Sequence, residues 1–364
     1  MKVLFAGSPA IAVPCLEALC NINGIELAGV LTNPDTPRGR SGSPAPTDIG
    51  EAAQRLFSEK GIDILMILKP EKLDASVRQK ISTLNPDILI SFAYGRIFGP
   101  KFLSLFPLGG INIHPSLLPK YRGPTPIQAA ILNRDKVTGI TIQTLAKEMD
   151  QGDIIAVEQL QLTGKETSGS LSDIVSKKAA VMLNDTLVKI MAEFNDNSGL
   201  PKNQAFFAAK ARAQDHSKAV YCKLISRDDG IIDWNLRAAE IEAKIRAFDP
   251  WPLCRTFHNG RELFILSAEP LPDFAARQWS DPGINPKESS FGQDTPGMVL
   301  GIDKQYGILI RTGSGILAVT KLQYQAKKAL NWRDFVNGAR DFSSGRPVQL
   351  GEAFPKLQFL EKLL

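Results

Sequence analysis

Residues 2–31, KVLFAGSPAIAVPCLEALCNINGIELAGVL, decide the fold. KVLFAG is a short β-rich run, VPCLEALC places its apolar residues at helical spacing, and IELAGVLTN is β-rich again. A strand, a helix and a second strand in so few residues imply a right-handed parallel crossover. DILISFAYG and GINIH continue the sheet. The strongest runs are nearly unbroken in aliphatic residues, as strands covered by helices on both faces require. The expected fold is an open, mostly parallel α/β sheet. Such sheets bind ligands outside the carboxyl ends of their strands, so chemistry is sought just after LISF and within GINIH.

The chain has 364 residues, long for one core and comfortable for two. Near residue 195 the composition shifts. FNDNSGLPKNQ, rich in Asn, Asp, Gly and Pro, follows a helical pattern (SDIVSKKAAVMLNDTLVKIMAEF) and reads as a linker. Beyond it come one amphipathic helix, AAEIEAKIRAFDPWP, stopped by Pro250 and Pro252, and short strands such as RTFHNG, RELFILSAEP, GMVLGID, YGILIRTG and GILAVTKLQ. Closely spaced short strands with glycine turns predict a small antiparallel β-barrel. The expected division is a catalytic domain over 1–195, a linker over 196–214 and a barrel over 215–364, with a loop-like insertion near 272–296.

Several classes are disfavoured. No apolar run approaches the roughly 18 residues that cross a bilayer, and the N-terminal apolar run is too short for a signal peptide, so a cytoplasmic protein is expected. Cys15, Cys20, Cys222 and Cys254 fit neither a zinc ribbon nor a disulfide scaffold and are read as reduced, mostly buried thiols. FAGSP lacks the G-x-G-x-x-G spacing of a dinucleotide site, and no phosphate-binding G-x-x-x-x-G-K-[ST] occurs. A net charge of +5 permits a polyanionic partner without demanding one.

Residues 112–123 read NIHPSLLPKYRG in a chain with three histidines. On a strand, Asn112 and His114 project from one face at the ligand-binding end of the sheet. The bland alternative is a turn-capping Asn112 and a satisfied core His114. SLLP ends in a proline that continues no element, which leaves backbone groups for a ligand. Asp150 in KEMDQGDII offers a carboxylate toward the histidine, unless it is an ordinary turn aspartate; Asp153 is the other candidate.

FAGSP, TNPDTPRGR, FAYGRI, GGINIHPSLLPKYRGPTPIQAAI, TGITI, MDQGD, IDWN and IRAFDPWP, in that order, resemble the methionyl-tRNA formyltransferases from residue 1 to about 330. INIHPSLLPKYRG is a specific signature of folate-dependent formyl transfer, and IRAFDPWP separates the chain from the shorter glycinamide ribonucleotide transformylases. The resemblance implies a Rossmann-like formyltransferase domain followed by an OB-like barrel. It also implies transfer of a formyl group from 10-formyltetrahydrofolate to the amino group of methionyl initiator tRNA by a monomer that needs neither metal nor membrane. Asn112 and His114 would stabilise the oxyanion and Asp150 would orient the imidazole and handle the proton. Ser116, Leu117, Leu118 and Pro119 would lie against the folate, with the backbone around Tyr94 to Ile97 lining the pterin pocket.

For the tRNA, the resemblance points to Arg38 and Arg40 in the loop NPDTPRGRSGSPAPTD and to Lys327 and Lys328 in YQAKKAL. The chain departs from its relatives here: Ser41, Gly42 and Ser43 stand where lysines are common, Pro115 and Ala326 where glycine is. Fewer cations imply a shallower salt dependence. Two other readings stay open: a sugar-nucleotide formyltransferase, which shares the first-domain signature, and a non-catalytic tRNA-binding protein.

Overall fold

A computed structural model describes residues 1–37, 42–61, 63, 66–195, 211–272, 295–339, 342 and 348–351. The chain divides into two compact units. The first comprises Met1–Ala130, Lys136–Thr163 and Ser170–Leu224; the second comprises Ile131–Asp135, Gly164–Gly169 and Ile225–Leu364.

The first unit is built on β1 (Lys2–Gly7), β2 (Glu26–Leu31), the short pair β3 (Thr36–Pro37) and β4 (Pro44–Ala45), β5 (Ile67–Leu68), β6 (Ile88–Phe92), β7 (Gly110–His114), β8 (Val137–Thr144) and β9 (Ile154–Gln161). Its main sheet runs β5-β2-β1-β6-β7-β8-β9. The pairs from β5 to β7 are parallel, and β8 and β9 are antiparallel additions. Every residue of β6 is buried, as its unbroken ILISF requires.

The chain leaves β1 toward β2 and β5, then returns to the other side of β1 as β6, which makes the gap beyond these two strands the topological switch point. Gly7 ends β1 there. A Cβ on Gly7 would stand 2.9 Å from the Phe92 carbonyl oxygen, so glycine lets the two strand ends close together. The helix Asp48–Lys60 starts on Thr47, whose Oγ1 accepts from Gly50 N at 2.9 Å, and stops at Gly61 with φ 67°. Such a cap stabilises a helix by about 1 kcal/mol.

The second unit carries the helix Ala238–Ala247 and the strands β10 (Cys254–His258), β11 (Arg261–Leu271), β12 (Met298–Asp303), β13 (Gly307–Arg311), β14 (Ile316–Tyr324), β15 (Leu330–Asn331) and β16 (Val348–Gln349). Their order is β10-β11-β14-β13-β12-β16, with β15 against β14 and every pairing antiparallel. Gly351 N donates to Phe257 O at 3.0 Å, joining the segment after β16 to β10 and closing the sheet into a barrel. The helix ends before Pro250, as the sequence predicts. No helix among the described residues is long and apolar enough to cross a membrane.

The main segment of the second unit starts at Ile225, whereas the sequence reading places the start of the barrel at 215. Backbone bonds explain the difference. Val220 N donates to Pro119 O, Arg122 N to Val220 O and Cys222 N to Arg122 O, so residues that read as the start of the barrel extend the first unit. The four cysteines are free, but only Cys15 and Cys254 are buried; Cys20 and Cys222 are half-buried. The expected insertion near 272–296 lies almost wholly outside the described residues.

Candidate active site

The first unit contains a cavity of about 430 Å³ at the carboxyl ends of β6 and β7. Two chain segments form much of its wall: Ser91 to Phe98, which leaves β6, and Gln143 to Asp150, which leaves β8. Ala93 takes φ 51°, an unusual conformation for a residue with a Cβ, and turns the first segment over the strand ends. Among the described residues the backbone amide and carbonyl groups of Gly95, Arg96 and Ile97 have no hydrogen-bond partner. Ile97 and Met149 are largely exposed at this wall.

Asn112 and His114 both line the cavity, joined by Ile113 between them, while Ile111 before them is buried away from it. The two-residue period of the strand sorts the polar and apolar pairs onto opposite faces. Asp150 completes the group. Its Oδ1 is 3.5 Å from His114 Nδ1, accepts from Gln143 Nε2 at 3.0 Å and faces Asn112 Nδ2 at 3.5 Å; its Oδ2 accepts from Gly123 N at 2.8 Å. Asp150 therefore does more than occupy a turn. Its own backbone is left-handed at φ 55°, a conformation disfavoured by about 1–3 kcal/mol that the surrounding bonds must offset. Asp153 is not among the residues lining the cavity, and its backbone N–H donates to Thr144 Oγ1 at 2.9 Å.

His114 Nε2 lies 2.8 Å from Tyr121 O. A carbonyl can only accept, so Nε2 carries a proton and Nδ1 is the ring nitrogen turned to Asp150. Cys222 is close by, its Sγ accepting from Thr125 N at 3.3 Å. Burial raises its pKa above the ordinary thiol value, the Thr125 bonds oppose that and the Asp150 charge adds to it, so it stays protonated. Burial likewise raises the Tyr94 phenol, against the nearby Arg96 cation.

Two residues of the site were not singled out from sequence. Gln143 sits directly opposite Asn112 across β7 and β8. Gln214 closes the network from the segment expected to be linker, donating from Nε2 to Asp150 O at 2.9 Å and Gly152 O at 2.6 Å. The only sequence signal for Gln143 was a polar residue in the apolar run GITIQTL; Gln214 gave none.

Ser116, Leu117, Leu118 and Pro119 are not among the residues lining the cavity. Ser116 is fully buried with its Oγ donating to Lys120 O at 2.5 Å, and Thr141 Oγ1 donates to Ser116 O at 2.7 Å while facing Leu118 N at 3.2 Å. That turn spends its polar groups on the protein itself. Arg38 and Arg40 lie outside the described residues, between the paired β3 and β4. Lys327 and Lys328 are exposed on the turn joining β14 to β15, where Ala326 takes φ 61°.

Gly152 gives a test of how the Asp150 turn is held. A Cβ there would sit 1.7 Å from Thr144 O, a backbone atom that cannot step aside. Gly152→Ala is expected to lower stability by about 1–3 kcal/mol, the usual range for overpacking, and to shift the midpoint of thermal unfolding accordingly. An unchanged midpoint would mean that the turn yields without strain.

An open α/β sheet with an Asn-x-His pair and an aspartate around one cavity defines the class. Residues 1–187 match the formyl transferase family model, and residues 224–340 match that of the formyl transferase C-terminal domain. Methionyl-tRNA formyltransferase of Treponema denticola is 44% identical over 346 residues, covering 95% of this chain and 99% of the relative. That of Borrelia duttonii is 36% identical, covering 94% and 98%. The chain belongs to the methionyl-tRNA formyltransferase family. Among solved structures, an N-formyltransferase from Helicobacter canadensis superposes with a TM-score of 0.55 at 17% identity, covering 88% of this chain and 99% of that one, and shares the fold.

Proposed function

We propose that the chain transfers a formyl group from 10-formyltetrahydrofolate to the amino group of methionyl initiator tRNA, in the cytoplasm. The convergence of Asn112, His114 and Asp150 on one cavity, within a chain related to methionyl-tRNA formyltransferases over nearly its full length, carries this reading.

The cavity suits a reduced pterin. A planar heterocycle with amide-like edges pairs well with backbone donors and acceptors, and those of Gly95 to Ile97 at the wall have no hydrogen-bond partner among the described residues. These residues would hold the donor, which supplies an activated formyl carbon when bound. In this reading the Ser116–Pro119 turn supports the His114 strand.

Negative charge grows on the formyl oxygen as the amine attacks. Asn112 Nδ2 can donate to it, and so can Nδ1 of a doubly protonated His114 ring with its Nε2 proton on Tyr121 O. Asp150, 3.5 Å from Nδ1, pairs with that imidazolium and takes the proton that the amine loses. As the oxyanion collapses, the bond from the formyl carbon to N10 of the donor breaks and that proton passes to N10 of the departing tetrahydrofolate. Arg38 and Arg40 grip the acceptor end of the tRNA.

The barrel contributes electrostatic attraction through Lys327 and Lys328. Replacing both with alanine is expected to reduce the salt slope of tRNA binding by up to about 2 units, as two fewer phosphate contacts release fewer counterions. Binding isotherms over a salt series measure the slope; an unchanged slope would remove this turn from the interface.

The reading itself is tested by incubating the protein with 10-formyltetrahydrofolate and charged initiator tRNA. Formylmethionine on the tRNA supports it. Its absence, with turnover of an amino-sugar nucleotide, would establish a sugar formyltransferase instead.

A further inference from the structure

We infer that Gln214 is a positioning residue of the catalytic group, the middle of a one-way amide relay that runs from Arg122 through Gln143 to the Asp150 carboxylate. The inference deepens the reading above and rests on its assignment of Asp150 to the chemistry.

Arg122 is 1% exposed, and its guanidinium can only donate. Nε and Nη2 both reach Gln214 Oε1, at 3.2 and 2.7 Å; Nη2 also meets His216 Nδ1 at 3.0 Å, and Nη1 reaches the Tyr221 hydroxyl at 3.1 Å. A fork on one oxygen fixes which end of the Gln214 amide is oxygen. The amide nitrogen must then face the other way, toward Gln143 Oε1 at 3.2 Å and the carbonyls of Asp150 and Gly152.

The same logic passes one residue further. With a donor fixed against Gln143 Oε1, the Gln143 amide cannot turn over, and its Nε2 stays on Asp150 Oδ1 at 3.0 Å. A glutamine alone has no preferred end, since oxygen and nitrogen are nearly the same size. Here a cation at the far end of the chain of bonds sets both orientations, and Asp150 is always offered a donor. The relay thus fixes the place and direction of the carboxylate that pairs with His114 and accepts a proton. Gln214 also holds the backbone of the left-handed Asp150 turn, so both the direction and the place of the carboxylate depend on it.

The test compares Gln214→Met, Gln143→Met and the double variant, each keeping side-chain length and losing the amide. Gln214→Met should lower kcat by at least about 10-fold while KM for both substrates changes by less than about 3-fold, as expected for loss of a group that acts only on the catalytic step. If Gln214 works through Gln143, the double variant should be no slower than the slower single variant; additive losses in kcat would overturn the relay.

A second measurement needs no substrate. In protein labelled with nitrogen-15 at glutamine, the Gln143 side-chain amide should show the shifted, exchange-protected resonances of a bonded donor. In Gln214→Met these should move to free-amide positions. Unchanged Gln143 resonances would sink the relay even if formyl transfer is confirmed. Their shift would sustain it even if the acceptor proves not to be tRNA.

Discussion

Asp150→Asn is expected to lower the turnover of formyl transfer by at least about 100-fold, the range of a well-placed acid or base, with folate and tRNA affinities little changed. An amide of the same shape cannot accept the proton, and it also conflicts with the site. Both carboxylate oxygens now accept: Oδ2 from the Gly123 amide and Oδ1 from Gln143 Nε2. The Gly123 N–H is backbone and cannot reverse, so the new amide must put its oxygen there and its nitrogen against another donor. One unsatisfied donor in a buried site is unfavourable by about 1–3 kcal/mol, so a modest loss of stability should accompany the loss of turnover. Steady-state kinetics at saturating substrates, with a thermal melt on the same preparation, separate the two effects. Turnover within about 3-fold of wild type would remove Asp150 from the proton path.

Much of this site was legible because strands have a period of two. GINIH alone places Asn112 and His114 on one face, and the crossover in residues 2–31 tells which end of the sheet to search. Asp150 was legible only as one of two aspartates in a turn, since a turn sequence does not say which carboxylate points inward. Gln143 could not be paired with Asn112 without the register of β7 against β8, and periodicity carries no strand direction. Gln214 was harder still. It stands 71 residues from Gln143 in a stretch whose polar, loop-like composition reads as linker, yet its backbone neighbours are bonded to β9 through the paired Arg212 and Ile154. The placement of residues 215–224 with the first unit has the same origin: backbone bonds between residues 119–122 and 220–222 leave no mark in composition.

Two amide replacements distinguish which nitrogen of His114 does the work. An asparagine side chain reaches about as far as Nδ1, whereas a glutamine reaches about as far as Nε2. Nε2 is held by the Tyr121 carbonyl at 2.8 Å, and Nδ1 faces Asp150 at 3.5 Å. His114→Gln can keep the bond to Tyr121 but brings no donor to the Nδ1 position, so turnover should fall by on the order of 100-fold or more, the effect of losing one preorganised donor. His114→Asn loses the Tyr121 bond, which orients the ring, but keeps an N–H near the position of Nδ1. It should therefore retain roughly 10-fold more turnover than the glutamine variant, in line with a partly preserved donor. Folate affinity should change little in either, because the charge they answer exists only along the reaction path. The reverse order, with glutamine the more active, would show that Nε2 is released from Tyr121 during the reaction and is itself the donor.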